Sequence, residues 1–227
     1  MQGRKLVITG GFGVLGQAVA RAAVGRGAKV ALIDFAPEAR GDSVAVEAAI
    51  GGVDLADEAQ AKAAMDQAKA ALGGIDALLN IAGGFVWQTL SDGDPAGWDR
   101  MFRLNLKTAA TASRAALAHL IASGSGRIVN VGANGALKAA AGMGAYAASK
   151  AGVHKLTESL AEELKGQVTV NAVLPSIIDT AQNRADMPDA DPAKWVRAEE
   201  LAAVMLFLAS AEASAVTGAL VPVTGRV

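Results

Sequence analysis

The chain has 227 residues, 52% hydrophobic and 19% charged, with 26 glycines and a net charge of −1. That size and composition suit a buried core and exclude a disordered chain, and near-neutrality gives no polyanion-binding surface, so no nucleic-acid partner is expected. The lack of cysteine removes disulfides, thiolate chemistry and cysteine metal sites, and without a signal peptide or a bilayer-length apolar run the expectation is a single-domain cytoplasmic protein with no membrane partner.

Lys5 to Thr9 is a short apolar run closed by Gly10 and Gly11, the pattern of a buried parallel strand followed by a sharp turn. Val14 to Arg26 carries Leu15, Val19, Ala22 and Ala23 at helical spacing, with Gly27 placed to end the helix. Lys29 to Ile33 is a second apolar run, closed by Asp34, which completes a βαβ unit. The alternation continues with a weaker strand over Val44 to Val53 ending at Asp54, an Ala-rich helix over Asp57 to Leu72, and a strand over Ile75 to Leu79 closing on Asn80. Trp98 to Ser123 is predicted as one long helix, Gly126 to Val131 as a strand, Ala145 to Lys165 as a helix, and Val168 to Leu174 as a strand ending at Pro175. Ser176 to Arg197, with Pro188, Pro192 and poor periodicity, reads as a mobile flap. Glu199 to Ala209 is helical and Ala219 to Val223 a last strand. The expected fold is α/β, a doubly wound parallel sheet of about seven strands with helices on both faces. Ligands bind beyond the carboxyl ends of such strands, where Gly10, Asp34, Asp54, Asn80, Ala133 and Pro175 fall.

Three stretches carry chemistry. The turn Thr9 to Gly16, TGGFGVLG, lets the backbone approach a pyrophosphate, and the helix behind it offers unpaired N–H groups and a partial positive charge. Asp34, 24 residues after Gly10, is placed to accept hydrogen bonds from an adenosine ribose and to repel a 2′-phosphate; Phe35, Ala36 and Pro37 follow, with no arginine beside it, so the cofactor is expected to be NAD(H) rather than NADP(H). The third stretch is VGANGALKAAAGMGAYAASK, Val131 to Lys150, running from a strand end into a helix. Tyr146 and Lys150 are four apart, hence on one helix face, and read as an acid/base pair: a phenol titrates near ~10, and a neighbouring ammonium is expected to bring it down. Trp87 is a candidate to stack on a flat substrate ring and Met143 to floor the pocket, against the plainer reading of each as packing. Trp195 reads as an anchor for the flap, and His119 and His154 as solvated or satisfied helix positions. Asp186, Asp189 and Asp191 read as a solvated loop, so no metal is expected.

Over essentially its whole length the chain resembles the short-chain dehydrogenase/reductases. The resemblance rests on the glycine turn, Asp54 with Leu55, NIAG at Asn80 to Gly83, Asn105, GRIVNV at Gly126 to Val131, YAASK at Tyr146 to Lys150, Pro175 with Thr180, and VTG at Val216 to Gly218. It implies a single-domain Rossmann-type fold and an NAD(H)-dependent oxidoreductase acting on a small carbonyl or alcohol. It implies that Gly10, Leu15 and Gly16 hold the pyrophosphate, Asp34 the ribose, and Asp54 and Leu55 the adenine, while Asn80, Ala82 and Gly83 line the cleft. By the same resemblance Tyr146 is the acid/base, Lys150 binds the nicotinamide ribose and supports the phenolate, Asn105 holds a water in the proton relay, and Pro175, Ile177 and Thr180 contact the nicotinamide end. Homodimers or homotetramers built on the helices over Trp98 to Ser123 and Ala145 to Lys165 are also implied. Two positions depart from the pattern. The second glycine comes at Gly13, one before Val14, which implies a slightly altered turn. Ala133, thirteen before Tyr146, stands where the family has a serine that binds the substrate oxygen; the neighbouring Asn134 is a candidate replacement. Around and beyond Ala133 the chain looks like the dihydropteridine reductase branch, which also lacks that serine. This implies, as an alternative, NADH-driven reduction of a quinonoid dihydropterin; a cofactor-binding regulatory protein without catalysis is a second alternative.

Overall fold

A computed structural model of the chain describes residues 1–39, 41 and 43–227. Its main elements are β1 (Lys5–Thr9), α1 (Val14–Val24), β2 (Lys29–Ile33), β3 (Ala48–Ile50), α2 (Glu58–Leu72), β4 (Ala77–Asn80), α3 (Pro95–Met101), α4 (Thr108–Ala122), β5 (Gly126–Val131), α5 (Gly144–Glu163), β6 (Val168–Pro175), α6 (Ala181–Asp186), α7 (Ala198–Leu208) and β7 (Leu220–Val223). The strands form one parallel sheet in the order β3-β2-β1-β4-β5-β6-β7. From β1 the chain winds outward to β3, returns past β1 to β4, and winds outward on the other side.

The unbroken apolar runs of the strands follow from burial on both faces. On β1, Leu6 and Ile8 enter a core closed by α1 and α7, through Leu15, Val19, Leu201 and Met205. Val7, between them, enters the opposite core with Ala61 and Met65 of α2 and Ala112 and Leu120 of α4. Burying each large aliphatic side chain contributes roughly 1.5–3 kcal/mol. Asp57 caps α2 by accepting from the Gln60 N–H at 3.0 Å, and Gly73 ends it at φ 72°.

Three stretches differ from the expectation. The edge strand β3 has only three residues, because its approach is tied by side chains instead: Glu47 accepts from the Val30 N–H and Gln17 from the Val44 N–H. The long helix starts earlier, at Pro95, capped by Asp94, and is interrupted by a π-helical turn, Phe102–Lys107, between α3 and α4. The segment expected to be a loose flap has structure of its own. Thr180 caps α6, Ile178 bridges Val196, and Trp195 is buried at 3% exposure, anchoring the segment as expected. Among the described residues no helix is long and apolar enough to cross a membrane.

Candidate active site

The strand order reverses between β1 and β4, and beyond their carboxyl ends lies a cleft of about 630 Å³. Gly10, Gly13, Leu15, Gly16, Asp34, Asp54, Leu55, Ala82, Gly83 and Thr180 all line it. Gly10 has φ +63°, and a Cβ there would stand 2.8 Å from the Ala82 nitrogen; a Cβ on Gly16 would stand 2.3 Å from the Gly10 carbonyl oxygen. Side chains at these two positions would overlap the cleft floor. Gly13 is the N-cap of α1 in ordinary extended geometry, so the displaced glycine leaves the turn intact. The turn is pinned by two buried side chains. Gln17 Nε2 donates to the Gly11 carbonyl at 2.7 Å, and Thr9 Oγ1 accepts from the N–H groups of Ile81 and Ala82 at 3.1 and 3.2 Å. The N-terminal end of α1 therefore faces a rigid concave surface suited to an anion.

Asp34 accepts from the Phe12 N–H at 2.9 Å through Oδ2 and from the Ala36 N–H at 3.0 Å through Oδ1. Each oxygen retains a lone pair for a ligand. Asp54 forms an ion pair with Arg103 of the π-helical turn and accepts from the Ala56 N–H at 2.9 Å.

Past Gly83 the cleft meets the second group of residues. A Cβ on Gly83 would stand 2.6 Å from Asn105 Oδ1 and 3.3 Å from Lys150 Nζ, so glycine alone fits there. Asn105 Oδ1 accepts from the Gly84 N–H at 2.9 Å, and its Nδ2 donates to the Gly84 carbonyl at 3.1 Å and to Ser149 Oγ at 2.9 Å. Its amide is thus committed to protein groups, and the side chain ties the turn after β4 to α5 instead of presenting a free amide to water. Tyr146, half-buried in the first turn of α5, meets Phe85 edge to face with ring centroids 4.9 Å apart. Lys150, one turn later and buried, donates to the Val131 carbonyl at 2.7 Å.

Burial pushes the Tyr146 phenol from 10.0 up to about 12 and the Lys150 ammonium from 10.5 down to about 8. The expected lowering of the phenol by its neighbouring lysine is not realised in this structure, because Lys150 is bonded to Val131 and desolvation dominates at Tyr146. At neutral pH the phenol holds its proton.

The remaining expected positions lie in several settings. Asn80 lies beneath the cleft at 4% exposure, its Nδ2 donating to Ser113 Oγ and Asn130 Oδ1 at 3.0 and 2.9 Å, where it joins β4 to α4 and β5. Pro175 pairs with Val223 and Ile177 accepts from the Val196 N–H at 2.9 Å, while Thr180 lines the cleft. Ala133 is buried, and its N–H donates to His154 Nε2 at 3.2 Å. Asn134 opens a single turn, Asn134–Ala136, and its side-chain amide has no hydrogen bond among the described residues. Trp87 is 59% exposed, with its indole N–H donating to the Ala141 carbonyl, and Met143 packs beside Gly135. The supporting roles of Thr9, Gln17, Ser149 and Phe85 were missed. Thr9 and Ser149 lie inside recognised motifs and Gln17 directly follows one, but nothing in the sequence places Phe85 over Tyr146. His154 is satisfied, as expected, and the structure supplies its partner.

The sequence model of a family described as "short chain dehydrogenase" matches residues 4–191. The chain is similar to 2-(S)-hydroxypropyl-CoM dehydrogenase 3 of Xanthobacter autotrophicus, 33% identical over 97% of this chain and 94% of the relative. It is similar to cis-4-hydroxycyclohexanecarboxylate dehydrogenase of Sinomonas cyclohexanicum, 37% identical over 98% and 95%. Its fold is similar to that of an NAD+-bound xylitol dehydrogenase, with a TM-score of 0.89 and 25% identity over 99% of this chain and 98% of the other.

Proposed function

Since the chain belongs to the short-chain dehydrogenase family and is an oxidoreductase that uses a nicotinamide cofactor, we propose that it moves a hydride between NAD(H) and a small carbonyl or alcohol, with Tyr146 exchanging the proton. The residues present fit that cofactor. Gly10 and Gly16 leave the backbone open to a pyrophosphate at the N-terminus of α1, and Asp54 and Leu55 form the adenine end. Asp34 would hold the ribose hydroxyls, and with Glu38 on the same wall it disfavours a 2′-phosphate, which supports NAD(H) over NADP(H). When bound, the cofactor supplies the carbon that gives or takes the hydride.

The observation that carries the reading is the meeting of Lys150 and Asn105 at Gly83, with Tyr146 held one turn before Lys150. A phenol that holds its proton at neutral pH is ready to donate it to a carbonyl oxygen, and the buried Lys150 ammonium, at about 8, remains charged at neutral pH one turn along the same helix. Tyr146→Phe is expected to lower turnover about 10²–10⁴-fold, the usual worth of a positioned acid, while leaving NADH affinity within about twofold. A Phe variant as active as the parent rules out the assignment.

Ala133 supports a second reading, NADH-dependent reduction of a quinonoid dihydropterin. Neither a hydroxyl nor the committed N–H of this residue offers an oxyanion donor, and an electron-poor imine needs less of that help than a ketone. High activity on the dihydropterin with none on ketones decides for it. We also propose that two or four copies associate through α4 and α5; light scattering that gives a monomer at assay concentration would contradict this.

A further inference from the structure

α5 presents Tyr146, Lys150 and His154 at intervals of four, so the three side chains follow one face of the helix. Two of them grip the end of β5. Lys150 donates to the Val131 carbonyl at 2.7 Å, and the Ala133 N–H donates to His154 Nε2 at 3.2 Å. Between these, the Gly132 N–H donates to the Val173 carbonyl at 2.9 Å. A Cβ on Gly132 would stand 2.5 Å from His154 Nε2, so the imidazole occupies the space a side chain would need. Ala133 and His154 are both buried, and without the ring a backbone donor would be orphaned in the interior, which native structures almost always avoid.

We propose that His154 is a positioning residue, a role that rests on the dehydrogenase reading above: as a neutral acceptor for the Ala133 N–H it fixes the end of β5, and the turn Asn134–Ala136 packed against α5, in the arrangement in which Tyr146 works. The bond requires Nε2 to be free of a proton. Burial lowers this imidazole below its ordinary 6.5, the Lys150 charge adds to that, Glu158 opposes it and Lys155 lowers it further. The residues beside the ring, Gly132 and Ala133 just past β5 and Leu174 of β6, carry no charge. Acid strong enough to protonate Nε2 converts the acceptor to a donor and releases Ala133.

The test compares His154→Leu, which fills space but accepts nothing, with His154→Gln, whose amide oxygen can accept. The Leu variant is expected to lose kcat about 10-fold or more with KM for NADH changed less than about twofold, and the Gln variant to recover most of the loss and to lack the parent's acid limb. A Leu variant equal to the parent, or a Gln variant no better than Leu, overturns the proposal. The chain has only two histidines, so imidazole nitrogen NMR of the parent against the Gln variant identifies His154 without any assay and without the Leu variant. Nε2 unprotonated at pH 7, with titration below the ordinary range, supports the role. An Nε2–H tautomer in an active parent contradicts the His154 role alone, whereas a parent inactive on every substrate contradicts the dehydrogenase reading and the positioning role with it.

Discussion

Asp34 is oriented by two backbone donors, Phe12 and Ala36, and the proposed preference for NAD(H) rests on that orientation. Charge-assisted hydrogen bonds are worth about 1.5–3 kcal/mol, and Asp34→Ala is therefore expected to weaken NADH binding about 10–100-fold while affecting NADPH less. Fluorescence titration with both cofactors checks this, and an unchanged NADH affinity would count against the ribose assignment. The buried pair behind the site predicts opposite pH effects on stability. Lys150 is depressed from 10.5 to about 8, so its contribution is present above 10.5 and is lost as pH falls to about 8. Tyr146 is raised to about 12, so its contribution is present below 10 and is lost as pH rises through about 12. Lys150→Met removes the first effect, and its melting temperature relative to the parent should fall as pH rises from 8 to 10.5; a difference independent of pH would contradict burial as the cause. Tyr146 and Lys150 were legible because a spacing of four on one helix fixes a shared face. The partnership of His154 with Ala133 was not, since it joins two elements whose approach only packing determines.

The turn and helix at Thr9 to Gly16 were legible as an element because glycine after an apolar strand has few other uses, and the close approach of Gly16 to Gly10 now gives that reading a dimension. Gly16→Ala places a methyl 2.3 Å from the Gly10 carbonyl oxygen. Such overpacking costs about 1–3 kcal/mol, and the shifted turn should lose measurable NADH binding; chemical denaturation and titration together test both, and an Ala variant with parental affinity would show that the turn yields without harm. The π-helical turn over Phe102–Lys107 had no sequence signal, since its residues differ little in propensity from those of the α-helices it joins. It nevertheless carries both Asn105 and the Arg103 partner of Asp54. The flap was misjudged because prolines and poor periodicity conceal side-chain caps: Thr180 and Asp191 each hold a short turn, and buried Trp195 closes the segment.

At the scale of the molecule, the reversal of strand order between β1 and β4 gathers residues from Gly10 to Thr180 around one cleft. The alternation of strands and helices made this architecture legible, because strands buried on both faces read as continuous apolar runs. The same property hid side-chain direction. Successive residues on a strand point to opposite faces, and a run apolar on both gives no phase to correct the placement of Asn80, which the family resemblance implies on the cleft wall but which lies beneath it, in register with Thr9 and Asn130. The proposed activity of the whole molecule is hydride transfer in this cleft with Tyr146 passing the proton. NADH carrying deuterium at both C4 positions, turned over with a panel of small ketones and followed by mass spectrometry of the product, measures that directly. One deuterium on the carbinol carbon per turnover in the parent, slowed about 10²–10⁴-fold in a Tyr146→Phe variant that still binds NADH, is the predicted result. A parent that binds NADH yet transfers no deuterium to any ketone, or a Phe variant that transfers it at the parental rate, would contradict it.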